Sequence, residues 1–240
     1  MAIYMMREFI IPDYLCFTAE QTNSTVKLTT EWTSWSPTVV SLETSTDWTT
    51  WTNYTIWDTI TLSSVWDKVY WRNKSETATG FSISSVSYYR FIMTWRIAWG
   101  WDINYLLCKN STDTVAGYYF YRLFRDSDAL VSSPKLTATT LTWRANYSQM
   151  FYWCDNLETL PELPATTLSQ ECYYRMFYNC SKIKLSSTQT WDYQTPYRIP
   201  TTWTWTTANN AMYQMFTYTW GSSAWTPTIN TTYYTSNTVV

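Results

Sequence analysis

The chain has 240 residues, and its 16 basic and 18 acidic side chains give a formal net charge of -2 at pH 7. This near balance, without a block of like charge, argues against binding to nucleic acid or to an anionic membrane surface. Histidine is absent, which removes the commonest general base and the commonest transition-metal ligand. We therefore expect no enzyme activity, no cofactor and no metal.

Neither a membrane segment nor a disulfide framework is expected. No run of about 18 apolar residues is present, and the start MAIYMMREFIIPDY lacks the order of a secretory signal. The five cysteines are odd in number and form no CxxC pair. Cys172 and Cys180 are expected to be small buried side chains rather than a metal or redox pair. Cys154 and Cys180 are expected to be equivalent steps of a buried ladder.

The composition is unusual, because 17 tryptophans stand against four glycines, whereas glycine ordinarily makes up about 7% of residues. Several tryptophans follow turn residues. In STDWTTW, Trp48 takes the place after aspartate where a tight hairpin turn needs a positive φ. One hypothesis is that UGA codons, read as glycine in the source, are written here as tryptophan. It is applied to Trp48, Trp57, Trp66, Trp95, Trp143 and Trp153.

Two tryptophans are expected to be genuine. Trp51 and Trp71 lie at inward or alternating positions of predicted strands rather than in turns. The alternative to altered decoding is a chain truly rich in tryptophan, in which exposed indoles would stack on sugars or form an adhesive surface.

The first half of the chain reads as short strands, because β-branched and aromatic residues alternate with polar ones between turn residues. This pattern predicts a small sandwich or barrel. Ser45–Trp51 resembles an Asp-box hairpin, which is a structural turn in carbohydrate-active proteins. The predicted strands are 14–18, 24–30, 38–45, one near Ile60, 68–73, one near Phe81, one near Phe91 and 103–108.

The second half repeats itself. LFRDSDALVSSPKLTATTL, MFYWCDNLETLPELPATTL and MFYNCSKIKLSS place Phe124, Phe151 and Phe177 at steps of 27 and 26 residues. A fourth MF pair ends at Phe216, 39 residues on, so a loop is expected inside the last repeat. Within ATTLSQECYYRMF, apolar residues at helical spacing predict a helix on the convex side. NLETLPELP predicts one short strand per repeat, since prolines end it.

The segment MFYWCDNLETLPELPATTLSQECYYRMFYNC resembles the BspA-like leucine-rich repeats of bacterial surface proteins and of phages, over roughly residues 118–216. The resemblance implies adhesion through repeat surfaces without catalysis. The predicted fold class is therefore α+β, a β-rich sandwich- or barrel-like domain followed by a short leucine-rich-repeat-type α/β solenoid. The predicted boundaries are a leader at 1–12, the β-rich domain at 13–113, and repeats at 114–240 with a loop near 187–208 and a C-terminal cap.

Five residues are candidates for ligand binding: Glu158, Lys182, Lys184, Tyr174 and Tyr178. The repeat register aligns Glu158 with Lys184, which predicts an ion pair between adjacent strands. A carboxylate pair of Glu158 with Glu162 is a weak candidate for an active site, because nothing nearby indicates a raised pKa.

The expected partner is a cell-surface protein or glycan, and the expected location is extracellular or on a virion, as in a phage appendage. The alternative is a structural virion or filament protein that self-associates into a homo-oligomer.

Overall fold

The computed structural model of the chain describes residues 14–32, 39–199, 210–220 and 225–240. Within these ranges the chain is β-rich, as predicted, and its regular helix is a single 3₁₀ turn at Ile103–Leu106. The predicted leader at 1–12 lies outside the described residues. The strands are β1 (Leu15–Ala19), β2 (Ser24–Trp32), β3 (Leu42–Ser45), β4 (Thr52–Asn53), β5 (Thr59–Leu62), β6 (Lys68–Asn73), β7 (Ser82–Ser84), β8 (Ser87–Thr94), β9 (Ile97–Gly100), β10 (Thr114–Val115), β11 (Thr140–Leu141), β12 (Thr159–Leu160), β13 (Leu185–Ser186), β14 (Thr195–Arg198), β15 (Thr232–Thr235) and β16 (Thr238–Val239).

The first nine strands form two antiparallel sheets, in the orders β4-β3-β6-β1-β9 and β5-β2-β8-β7. Residues of β8 alternate between buried and partly exposed, as expected for a strand with one face on a core. The sheets pack face to face, since the ring of Phe91 on β8 lies 4.9 Å from that of Phe17 on β1 and 5.1 Å from that of Trp71 on β6. Both strand orders are open, so the barrel alternative is wrong.

Most predicted strands of this half are present, and β6 has the predicted bounds. The strand predicted at 38–45 begins only at Leu42, and its first residue, Thr38, lies outside the described residues. The strand predicted at 103–108 is wrong. There the carboxylate of Asp102 accepts the amide of Asn104, and the amide of Leu107 donates to the carbonyl of Asn104. This capped turn bends the chain away from the extended form.

The repeats contain stacked turns in place of the predicted helix. We call the stacked segments rungs: rung 1 is 118–126, rung 2 is 145–153, rung 3 is 171–179 and rung 4 is 210–218. Every fourth residue of a rung has a positive φ, as at Glu171 (56°), Arg175 (50°) and Asn179 (60°). A left-handed residue in each turn interrupts the α-helix, so the predicted helix, and with it the α+β class, is wrong.

Hydrogen bonding in a rung alternates between local and inter-rung partners. The amides of Tyr147 and Phe151 donate to the carbonyls of Cys172 and Met176 in the next rung, at 2.8 and 3.0 Å. The amide of Met150, between them, donates back to the carbonyl of Tyr147 at 3.2 Å. Rungs 1, 2 and 3 therefore each satisfy about half of their amides through the next rung, which is why a single rung cannot stand alone.

Parallel aromatic rings fill the space between rungs. Phe91, Phe124, Phe151, Phe177 and Phe216 stack in that order, with ring centroids 5.5, 5.6, 5.5 and 5.4 Å apart. Because Phe91 belongs to β8, this ladder begins in the sheets and continues into the repeats, so both halves share one core. A second ladder consists of Phe81, Phe120, Tyr147 and Tyr173.

Three cysteines, Cys154, Cys172 and Cys180, lie inside this core. All five are buried and free. The thiols of Cys154 and Cys180 each donate to a ladder carbonyl at 2.9 Å, that of Phe124 and that of Phe151 respectively. They are equivalent ladder steps, as predicted from the repeat register.

The chain closes over the last rung. The amide of Phe216 donates to the carbonyl of Trp225, and the amide of Gln214 donates to the hydroxyl of Thr226. C-terminal strands then return along the stack, with β16 parallel to β12 and β15 antiparallel to both β13 and β14. The stretch 187–208, predicted as a loop, contains β14, and its residues from 200 onward lie outside the described residues.

Candidate functional site

An open cleft of about 790 Å³ is formed where the returning C-terminal segment crosses the short strands of the repeats. It contains three of the five predicted binding residues, Glu158, Lys182 and Lys184. Polar residues dominate the rest of its lining. The other lining residues are Glu20, Val131, Ser132, Thr159, Ser181, Trp220, Ser236, Asn237 and Thr238.

Glu158 is held as a carboxylate at the edge of this cleft. Its Oε1 lies 2.7 Å from Nζ of Lys182 and 3.8 Å from Nη2 of Arg96. The hydrogen bond from Lys182 is the largest cause that lowers the pKa of Glu158 below its ordinary value. Arg96 also binds Glu20 at 3.1 Å, so these charges connect the β sheets to the repeats.

The ion pair predicted between Glu158 and Lys184 is wrong, because the partner is Lys182. The ammonium of Lys184 lies instead 5.4 Å from the ring centroid of Trp220, in a cation–π contact. Among the described residues, no carboxylate lies within ion-pairing distance of Lys184. Trp220 is 60% exposed and Lys184 is exposed as well, so the indole and the ammonium both face solvent in the cleft.

Asn237 organises the floor of the cleft. Its Oδ1 accepts the amide of Lys184 at 2.7 Å, and its Nδ2 donates to the carbonyls of Glu158 and Lys182 at 2.8 and 3.0 Å. Sequence reasoning missed Asn237 and Trp220. Neither shares the repeat pattern, and Asn237 lies 79 positions from Glu158 in the chain. Only the return of the chain brings them together.

Tyr174 and Tyr178, the other two predicted binding residues, do not line the cleft. Tyr178 stacks on Tyr152 with 4.8 Å between centroids, and Tyr174 stacks on Tyr213 at 5.9 Å. The guanidinium of Arg175 lies between Tyr174 and Tyr178, 5.0 and 5.3 Å from their rings. They therefore form a separate surface, which we call the tyrosine face.

The Asp-box hairpin is present as β3 and β4. The carboxylate of Asp47 accepts the amides of Thr49 and Thr50 at 2.9 and 2.7 Å and the hydroxyl of Ser45 at 2.9 Å. The bond from Thr50, followed by that from Thr49, lowers the pKa of Asp47 well below its usual range. These contacts make Asp47 a structural residue of the turn.

The weak candidate for catalysis finds no support in the geometry. Glu158 lines the cleft, whereas Glu162 lines a separate cavity of about 230 Å³ beside Tyr197. A general acid needs a raised pKa, and that of Glu158 is lowered. In the part of the chain that the structure describes, no group of three or more histidine, cysteine, aspartate or glutamate side chains is placed to hold a metal ion.

Comparison with known proteins gave no match. No protein-family model, curated protein or solved structure is similar to this chain. Across the described residues, no helix has the length and apolar character needed to cross a membrane. The resemblance to BspA-like repeats therefore rests on the sequence motifs.

Proposed function

We propose that the chain is a non-catalytic recognition module that binds a cell-surface glycan bearing a carboxylate, through the cleft around Lys184 and Trp220. The observation that carries the proposal is the pairing of an exposed indole with an ammonium that has no carboxylate partner among the described residues. An indole offers a flat apolar platform to a sugar ring. The ammonium offers a charge-assisted hydrogen bond to the sugar's acidic group.

The remaining lining of the cleft suits the same ligand. Ser132, Thr159, Ser181 and Asn237 line the same cleft with hydroxyl and amide side chains. A few polar groups around an aromatic surface are typical of sites that orient a small polar ligand. The acidic residues at the edge are already paired, Glu158 with Lys182 and Glu20 with Arg96. Lys184 is thus the charge of the cleft that has no carboxylate partner in the described part of the chain, and it meets the ligand in this proposal.

The repeats supply the scaffold in this proposal. The rungs, with their amide ladder and stacked phenylalanines, act as a short solenoid of the BspA-like kind that holds the cleft rigid. An extracellular place, or a place on a virion such as a phage appendage, follows from the same resemblance. A protein ligand in the cleft is the competing outcome.

Self-association into a filament is the structural alternative. End-to-end growth of such a stack needs an open last rung to receive the next copy. Here the amides of Phe216 and Gln214 are bound by residues 225 and 226 of the same chain. This cap favours recognition over polymerisation. Size-exclusion chromatography with mass analysis tests it, and a stable high-order oligomer would support the filament alternative.

An array of neutral and acidic glycans, followed by calorimetry on the bound glycans, tests the function. We expect an acidic glycan to bind, with affinity that falls as salt rises. Lys184→Met and Trp220→Ala should each weaken binding about 10-fold or more. Lys135→Met and Trp191→Ala are matched controls, since both residues are exposed and neither lines the cleft.

Two results would contradict the proposal in different ways. Glycan binding that survives both cleft substitutions would move the site elsewhere, with the tyrosine face as the next candidate. Absence of binding to every glycan, together with capture of a purified surface protein that Trp220→Ala abolishes, would keep the cleft and replace the ligand.

A further inference from the structure

Seven tryptophans adopt a backbone conformation that bulky residues rarely tolerate. Positive φ is a feature of a few per cent of non-glycine residues, chiefly asparagine and aspartate. In a bulky residue it is a genuine outlier, with a strain of about 1–3 kcal/mol. The seven are Trp48 (55°), Trp57 (80°), Trp66 (73°), Trp95 (62°), Trp101 (78°), Trp143 (68°) and Trp153 (62°).

Trp153 is set apart from the other six. It occupies the last left-handed position of rung 2, and the same position holds Asp126, Asn179 and Tyr218 in the other rungs. The rung imposes positive φ there on any residue. Outside the rungs, the described non-glycine residues with positive φ are the other six tryptophans together with Asn23, Ser111 and Asn230.

Two of the six occupy turns whose geometry specifies glycine. The amide of Asp58 donates to the carbonyl of Thr55, and the amide of Asp67 donates to the carbonyl of Ser64. Trp57 and Trp66 are then the third residues of four-residue turns, with φ of 80° and 73°. A type II turn needs φ near 80° at this place, which is why glycine prevails there.

The indoles at most of these positions contribute little packing. Trp57, Trp66, Trp95 and Trp143 are exposed, the last by 77%. Trp71, by contrast, is completely buried, lies in a strand and contacts three other aromatic rings. The tryptophans with positive φ therefore differ in backbone and in packing from Trp71, which fills the core.

The glycines have the opposite distribution. None of the described glycines, Gly80, Gly100 and Gly117, has a positive φ. Gly80 is required for another reason, since a Cβ there would lie 2.0 Å from the ring of Tyr119. Gly80 and Gly117 thus lie where another segment approaches closely, whereas Gly100 has no such neighbour. Glycine is missing from the described turns that need its conformational freedom.

We propose that Trp48, Trp57, Trp66, Trp95, Trp101 and Trp143 are glycines in the protein that its source makes. Their codon is UGA, which the source reads as glycine, while the genuine tryptophans are encoded by UGG. The exposed aromatic surface of the native protein is then reduced. Among the described residues, Trp153, Trp191, Trp220 and the tyrosine face remain as exposed aromatic groups.

The codons of the gene give the first test. We expect UGA at the six positions and UGG at Trp71 and Trp99, which are buried at strand positions. A single codon shared by both groups, whether UGG or UGA, overturns the proposal. Mass spectrometry of peptides from the protein isolated from its source gives the second test, because glycine and tryptophan differ greatly in mass. Tryptophan at Trp57 or Trp66 would overturn it.

The stability of the chain with tryptophan at these positions gives an independent test. Trp57→Gly and Trp66→Gly should each raise the midpoint of thermal unfolding by about 2–4 °C, because glycine relieves the strain of a positive φ. Trp191→Gly is the matched control, because Trp191 is 92% exposed and is not among the residues with positive φ. Its midpoint should stay level or fall. Equal falls in all three variants would contradict the proposed strain.

Discussion

The ring of Phe151 lies parallel to that of Phe177, with 5.5 Å between centroids and 9° between planes. Both rings are fully buried, and each is a step in the ladder that joins the sheets to the last rung. Phe151→Ala should lower the free energy of unfolding by about 3–5 kcal/mol, because it leaves a cavity between two rungs. Urea unfolding followed by circular dichroism measures the loss.

Trp191→Ala serves as the control for this experiment, because a solvent-exposed side chain should change stability by less than about 0.5 kcal/mol. A cost below about 1 kcal/mol for Phe151→Ala would mean that the rungs are not stacked as described.

Asp47 should keep the β3–β4 hairpin closed down to low pH. Because the folded pKa is depressed, the stabilisation is present above the unfolded pKa of about 3.9 and is lost only as pH falls through the lower folded value. Asp47→Ala should speed hydrogen exchange at the amides of Thr49 and Thr50, measured by NMR. Thr46→Ala, one residue away and exposed, should leave both rates unchanged.

The Glu158–Lys182 ion pair should affect the pKa of Glu158 more than it affects the stability of the fold. Lys182→Met should raise the pKa of Glu158 toward its ordinary value, since the main hydrogen bond that lowers it is removed. Carbon-detected NMR titration of labelled glutamate measures this shift. Both side chains are more than a third exposed, so the cost in stability should stay below about 1 kcal/mol. An unchanged pKa would show that Arg96 dominates instead.

The five thiols should be unreactive in the folded protein. Burial raises the pKa of all five, that of Cys172 to about 12. Because the folded pKa is raised, the neutral buried thiols contribute their full stability below the unfolded pKa of about 8.5. That contribution is lost as pH rises through the folded pKa. A thiol reagent at neutral pH should label no cysteine rapidly in the native state and all five in urea. Rapid labelling of Cys154 or Cys180 would contradict the ladder.

Much of this architecture is foreseeable from the sequence. The alternation in KVYWRN gives β6 its observed bounds, and the steps between Phe124, Phe151 and Phe177 give the rung register. The convex helix was wrong for a definable reason. Residues 172, 176 and 180 are buried at a spacing of four, which fits one face of a helix and equally fits consecutive turns. Only the sign of the backbone φ angle distinguishes a helix from such a run of turns.

The candidate site was less predictable, because its parts come from distant segments. Lys182 and Lys184 belong to the repeats, but Trp220 follows the last rung and Asn237 lies almost at the end of the chain. Their meeting depends on how the C-terminal segment returns, which no local pattern encodes. Tyr174 and Tyr178 were predicted as binding residues but do not line the cleft, for a related reason. The direction in which a rung turns decides which side of the stack its tyrosines face.

The amide ladder fixes only the rungs and leaves the length of chain between them free. Rung 3 joins rung 2 over a step of 26 residues and rung 4 over a step of 39, yet Phe216 stacks on Phe177 as closely as Phe177 does on Phe151. The stack thus tolerates connecting segments of different length between rungs while the rungs themselves stay stacked. The exposed stretch between Ser186 and the start of β14 is accordingly the natural place to graft new sequence.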